Sequence, residues 1–240
     1  MNQSGKTIRN VFDISYKMIL YSFKIIFAGK FIYFLVAAIA FYFFVTGINL
    51  FSNSNFSEED VYYLLFFPGL LLIFYPTSYG IQNDFDSGML EILFGIPNYR
   101  YKVWLIRILL IFVLVFLILL ILAFLTHIAL VEIEIFEMCL QLMYPVVALG
   151  SMSFMCSTLI RNGNGTAVVM IIIGMLFWII GGSLDLKAWN IYLNPYDLPS
   201  DVNENLWDQI VRNNRLYLAV ASIIFILTGM LNLQKREQFL

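Results

Sequence analysis

Charge is scarce in this chain. Only 12% of its 240 residues are Asp, Glu, Lys or Arg, where a soluble domain carries about 25%. Hydrophobic residues make up 61%, and mean hydropathy is +0.83. A core of this size cannot absorb so much apolar surface, so lipid must solvate part of it. An ordinary soluble domain is thereby excluded. The net charge of −2 implies no nucleic-acid partner, because nothing in the bulk charge would attract a polyanion. Cysteine is rare as well. Cys139 and Cys156 form no CxxC or CxxH pattern and read as buried, inert thiols, which leaves no disulfide framework. There is one histidine, His127, so no HExxH metal site can be built. His127 and nearby Glu132 and Glu134 could bind a metal or shuttle protons, but half-solvation at the headgroup boundary is the simpler reading. About thirty residues with five Lys/Arg precede the first apolar run without a small-residue cleavage site, so no cleavable leader is expected.

What the chain has instead is long apolar runs. Helix is the economical way to span lipid, because open strands would leave backbone groups unpaired there. The runs do not alternate as barrel strands do. A helix needs about 20 residues to cross the hydrocarbon. Six stretches meet or approach that length, roughly 31–50, 61–80, 103–129, 138–160, 166–183 and 215–233. The expected fold is all-α and polytopic, a single membrane domain of six spans over residues 31–233. A cytoplasmic helix over residues 1–30 precedes it, and residues 234–240 form a cytoplasmic tail.

Residues 6–29 differ from the spans. Lys6, Asn10, Asp13, Lys17 and Lys24 recur at helical steps, with Ile8, Phe12, Ile19, Phe23 and Ile26 opposite. That pattern predicts an amphipathic helix lying in the interface, with Arg9, Lys17 and Lys24 at headgroup level. With the N-terminus inside, eleven Lys/Arg fall on inner segments. Only Lys187, Arg212 and Arg215 fall on outer ones. The positive-inside rule therefore places both termini in the cytoplasm. Residues 184–214 read as the one long outer loop, with short interfacial helices broken at Asn194-Pro195 and Leu198-Pro199.

Catalytic signatures are missing. Ser4-Gly5-Lys6-Thr7 resembles the end of a phosphate-binding loop but lacks the upstream glycine and strand. The chain is expected to have no nucleotide site, no metal and no enzyme activity of its own. Glu58-Glu59 lacks the downstream Arg and histidines of a di-glutamate intramembrane protease. The sequons at Asn55 and Asn164 are weak signals.

The informative stretch lies between the second and third runs. Asp84 and Asp86 can sit around a helix N-terminus. Gly88 permits close approach of another backbone. Leu90, Leu93 and Phe94 present an apolar ridge with Glu91 beside it, and Pro97 stops the helix. Arg100, Lys102 and Arg107 anchor the next span at the inner leaflet. A short amphipathic helix of this kind can dock in a groove on a soluble partner. A solvated turn with basic anchors accounts for the same residues.

The pattern Asp84-x3-Gly88-Met89-Leu90-Glu91-Ile92-Leu93-x3-Pro97-x2-Arg100 resembles the loop after the second span of ABC-2 type transporter permeases. That family shows an acidic residue, Gly-Thr-Leu-Glu-x-Leu-Leu, then Pro and a basic residue; Met89 stands here where Thr is common. Ser157-x3-Arg161-x5-Ala167 and Asn194-Pro195 are similar to two further turns of the family, though these motifs are weak alone. The resemblance implies a permease subunit that exports an amphipathic lipid, peptide or drug. It implies a second permease copy or a homologous permease, and two separately encoded ATP-binding subunits carrying ATP and Mg. Asp84, Asp86, Gly88, Leu90, Glu91, Leu93, Phe94, Pro97 and Arg100 would then form the coupling helix that meets the ATPase. The expected location is the bacterial inner membrane, in contact with lipid. A membrane scaffold or sensor that docks a soluble protein, or an integral-membrane lipid enzyme, are the alternatives.

Overall fold

The computed structural model describes residues 30–52, 56–86, 100–183, 187–200 and 202–233. Among them the chain is all helix, with no strand. Helices α1 (Phe31–Ser52), α2 (Glu58–Asp86), α3 (Ile106–Ala129), α4 (Ile135–Ile160), α5 (Gly163–Ser183) and α6 (Glu204–Asn232) follow one another in the chain. All six are long and apolar enough to cross a membrane. The protein is a six-span, all-α membrane protein, as the apolar runs predict. The predicted N-terminal interfacial helix, with Arg9, Lys17 and Lys24, lies outside the described residues.

Polar residues set the helix boundaries. Ser57 and Asp60 form a capping box at the start of α2. The Ser57 N–H donates to Asp60 Oδ2 at 3.0 Å, and the Asp60 N–H to Ser57 Oγ at 3.4 Å. Arg161 ends α4 in the left-handed region, at φ 61°, a conformation uncommon outside glycine. Asn162 then caps α5 by accepting the Gly165 N–H at 3.0 Å. A two-residue turn thus joins α4 to α5, where the sequence predicts one.

The last span departs from expectation. Helix α6 starts at Glu204 rather than near residue 215, so the predicted interfacial stretch is partly its first three turns. Asn203 caps it, accepting the Asn205 N–H at 3.2 Å. Among the described residues the preceding loop holds a single 3-10 turn, Lys187–Trp189. Trp207 is buried and donates from Nε1 to the Pro195 carbonyl at 2.8 Å, which folds the loop back onto α6.

Helices α2 and α4 form the centre. In their most apolar windows 61% and 67% of residues are buried, against 22% in α1 and 17% in α5. Helix α4 packs on α2, α3, α5 and α6, and α2 packs on α1, α3, α4 and α5. Small residues permit this. A Cβ on Gly150 of α4 would lie 2.5 Å from Ile73 Cδ1 of α2, and one on Gly229 of α6 would lie 2.6 Å from Phe154 of α4. The central helices also carry Pro68, Pro76 and Pro145. Beside Pro76, the Thr77 hydroxyl donates to the Ile73 carbonyl at 2.7 Å and lies 3.2 Å from that of Phe74. Hydroxyl bonds of this kind are how membrane helices tolerate proline. The hydroxyls of Ser78 and Ser153 meet at 2.7 Å and tie α2 to α4. Cys139 and Cys156 are buried free thiols.

Candidate functional site

The two ends of the bundle are chemically distinct. At one end lie the start of α1, the α2–α3 connection, the α4–α5 turn and the close of α6. Tyr79 near the end of α2 donates to Asn164 Oδ1 at 3.0 Å, the Gly163 N–H bonds Gln82 Oε1, and Asn232 donates to Thr158 at 3.3 Å. Lys30, Arg100, Lys102, Arg107 and Arg161 belong to this end. At the opposite end lie Glu58, Glu59, Asp60, Glu132, Glu134 and Glu137, together with Arg212 and Arg215.

At the basic end the α2–α3 connection is anchored internally. Asp84 is 2% exposed, and its Oδ2 accepts from Arg107 NH1 at 2.8 Å. The Arg107 guanidinium lies 4.7 Å from the centroid of the Trp104 ring, and Trp104 packs on Phe154 of α4 at 6.1 Å between ring centroids. Beside this pair the Tyr75 hydroxyl accepts from the Lys30 N–H at 2.9 Å and from Asn83 Nδ2 at 3.2 Å. Phe34, Tyr75 and Tyr79 stack in succession, with centroid spacings of 4.9 and 5.3 Å. The first turn of α1, the last turns of α2 and the first turn of α3 are therefore one polar and aromatic knot.

One expectation is corrected here, and one is only located. Asp84 and Asp86 lie in the last turn of α2, and the helix that the sequence places after them falls outside the described residues. The Arg107 charge offsets Asp84, so α2 continues past Asn83 although a carboxylate at a helix C-terminus opposes the macrodipole. Exposed Asp86 receives a hydrogen bond from Gln82 at 3.4 Å. Arg107 is 4% exposed and packed inside the bundle, not set on its rim as a headgroup anchor. Arg100 and Lys102 fall in a π-helical turn, Arg100–Leu105, that leads into α3; such turns are rare and occur often at functional sites. Gly88, Leu90, Glu91, Leu93, Phe94 and Pro97 lie outside the described residues.

The acidic end holds a group whose burial the sequence does not show. Arg215, counted on an outer segment, lies at this end but is only 5% exposed. Its Nε donates to Gln141 Oε1 of α4 at 2.9 Å, and NH1 to Asn214 Oδ1 at 2.9 Å. NH2 reaches the Leu193 carbonyl at 3.3 Å and the Tyr62 hydroxyl of α2 at 3.4 Å. Every acceptor is neutral, and no carboxylate among the described residues forms an ion pair with it. Asn214 donates to the Ala188 and Asn190 carbonyls, and Asn194 to that of Glu59. These bonds fasten the 187–200 loop to α2, α4 and α6. Burial pushes the Tyr196 hydroxyl above the ordinary tyrosine value of 10.0, and the carboxylates of Glu137 and Glu58 add to the shift. His127 accepts the Ile133 N–H at Nδ1, 3.1 Å away, within the turn that follows α3. Among the described residues no group of three or more His, Cys, Asp or Glu is placed to hold a metal.

No protein-family model, curated protein or solved structure matches this chain.

Proposed function

We propose that this chain is the permease subunit of an ABC-2 type exporter, and that residues 84–96 receive the stroke of a separate ATP-binding subunit. The motif from Asp84 to Arg100 carries this reading. The packing at its roots supports it. A segment that transmits force must be joined rigidly to the spans it moves. Here the helix before the motif and the helix after it are bridged by the Asp84–Arg107 ion pair, while Tyr75 brings in the start of α1. A push on the motif then displaces α1, α2 and α3 together. Helix α2, with Pro68 and Pro76, is the element built to bend under that push. Closure of the ATPase pair would bias the spans between inward- and outward-open arrangements. The basic end faces the cytoplasm of a bacterial cell by the positive-inside rule. A second permease completes the path by two-fold assembly.

Glu91→Lys reverses a charge at the contact, and Gly88→Trp blocks close approach. In both variants the permease inserts normally. Co-purification of the ATP-binding subunit falls, or its ATP hydrolysis loses coupling to transport. An intact complex with coupled hydrolysis in both variants would overturn the docking role. A chain that binds a soluble partner with no transport would favour the scaffold instead.

A further inference from the structure

A groove of about 330 Å³ runs between α4 and α6 on the outside of the bundle, within the volume range of small-molecule sites. Leu140, Met143 and Val147 line it from α4, and Ala219, Ile223 and Ile226 from α6. Ala219 and Ser222 are small, which opens the space. The Ser222 hydroxyl is turned to its own helix, donating to the Leu218 carbonyl at 2.7 Å. Apart from Tyr144, the wall offers no free hydrogen-bonding group. Leu140 and Ile223 are well exposed, so the groove faces the surrounding hydrocarbon.

Its acidic-end mouth is marked by charge. Tyr144 lines the groove, and the Arg215 guanidinium stands 5.8 Å from the centroid of that ring. Among the described residues Arg215 donates to neutral acceptors alone, and no carboxylate pairs with its positive charge. Buried in low dielectric, it acts over a longer range than an exposed charge, which salt screens. One turn beyond Gln141 on the same face of α4 stands exposed Glu137, with Glu134 and Glu58 at the same end. Residues 137, 140, 144 and 147 share one helix face by their spacing. Along about 15 Å of α4 the carboxylate comes first, the Arg215 cation of α6 stands level with Gln141 and Tyr144, and the apolar groove extends from there to Val147. Helix α6 repeats the last two, with Arg215, Ala219, Ser222 and Ile226 on one face.

That order matches a phospholipid with an amino headgroup, which reads ammonium, phosphate, acyl chain. We propose that the α4–α6 groove binds such a lipid from the bilayer. One acyl chain fills the groove, the phosphate lies at the Arg215 end and the ammonium faces Glu137. A lipid with a purely anionic headgroup places its phosphate equally well, but the carboxylates repel it. A neutral diacylglycerol fills the groove and leaves the Arg215 charge unmatched. A second protein copy could cover the apolar wall but has no reason to match the charge order. The inference is independent of any transport role.

Native mass spectrometry of the full chain in mild detergent tests this, with phosphatidylethanolamine, phosphatidylglycerol and diacylglycerol of identical chains as probes. The expected result is one retained phosphatidylethanolamine per chain, with occupancy about fivefold or more above either competitor. Ala219→Phe fills the groove and lowers that occupancy about tenfold. Glu137 lies at the exposed rim, so Glu137→Lys preserves the fold; it reverses the preference toward phosphatidylglycerol. Equal retention of the three lipids would overturn the proposal. So would unchanged preference in Glu137→Lys, or a dimer that excludes phosphatidylethanolamine and that Ala219→Phe dissociates.

Discussion

Arg107 and Arg215 are both almost wholly buried, at opposite ends of the same bundle, and their surroundings differ in kind. Arg107 has a carboxylate at 2.8 Å and a tryptophan face beneath it. Arg215 has four neutral acceptors and a tyrosine face. The first arrangement cancels charge inside the protein, so the α2–α3 root is locally neutral and mechanically tied. The second fixes geometry but leaves a net positive charge close to the bundle surface. Burial alone therefore does not define what an intramembrane arginine does. The charge of its acceptors decides whether it acts as an internal rivet or projects a field outward.

Removing one partner separates the two cases most sharply. Asp84→Ala strands Arg107 as an unpaired buried cation, and such losses cost about 3–5 kcal/mol. The thermal unfolding midpoint in detergent should fall accordingly, more than for any single change at the other arginine. The paired replacement Asp84→Leu with Arg107→Met should recover most of the loss, because an apolar pair of similar volume is often neutral. A double variant as unstable as the single one would show that the pair is not an isolated rivet.

Arg215→Met strands only neutral acceptors. Gln141 and Asn214 each lose a donor, while the Leu193 carbonyl keeps the Tyr62 hydroxyl at 3.3 Å. The expected cost is about 1–3 kcal/mol, read in the same unfolding assay. A loss as large as that of Asp84→Ala would erase the distinction between the two ends.

The smallest effect is the pH dependence of the acidic end. Tyr196 is raised above its ordinary value by burial and by nearby Glu137 and Glu58. The folded state therefore holds this proton more tightly than the unfolded chain. Stability is fully present below about pH 10. Above it, stability falls as the unfolded tyrosine ionises while the folded one remains neutral. Tyr196→Phe should flatten the decline in unfolding midpoint at alkaline pH, and an unchanged decline would locate it elsewhere.

The six spans were legible because lipid demands about twenty apolar residues from each, whatever its neighbours. The short α4–α5 turn was legible for a related reason: Arg161, Asn162 and Gly163 interrupt an apolar run with local capping chemistry. The start of α6 was not. Glu204, Asp208 and Arg212 make its first turns read as part of the outer loop with its short interfacial helices, but Asn203 capping and Trp207 burial hold them as the start of the span helix. Asp84 stood out in the sequence, but its ion pair did not, because Arg107 lies 23 residues away across the connection.

Composition and run length by themselves determined the class of this protein: all-helical, six spans, with basic residues gathered at one end. These properties follow from transfer of side chains and backbone between water and lipid, which each segment meets independently. Tertiary structure alone decided where the two buried arginines point and what solvates them. The partners of Arg215 come from 1, 22, 74 and 153 residues away. No local pattern distinguishes a buried arginine with neutral acceptors from one reaching out to headgroups. Only the packing of α2, α4 and α6 around the 187–200 loop makes that choice, and with it the charge at the mouth of the groove.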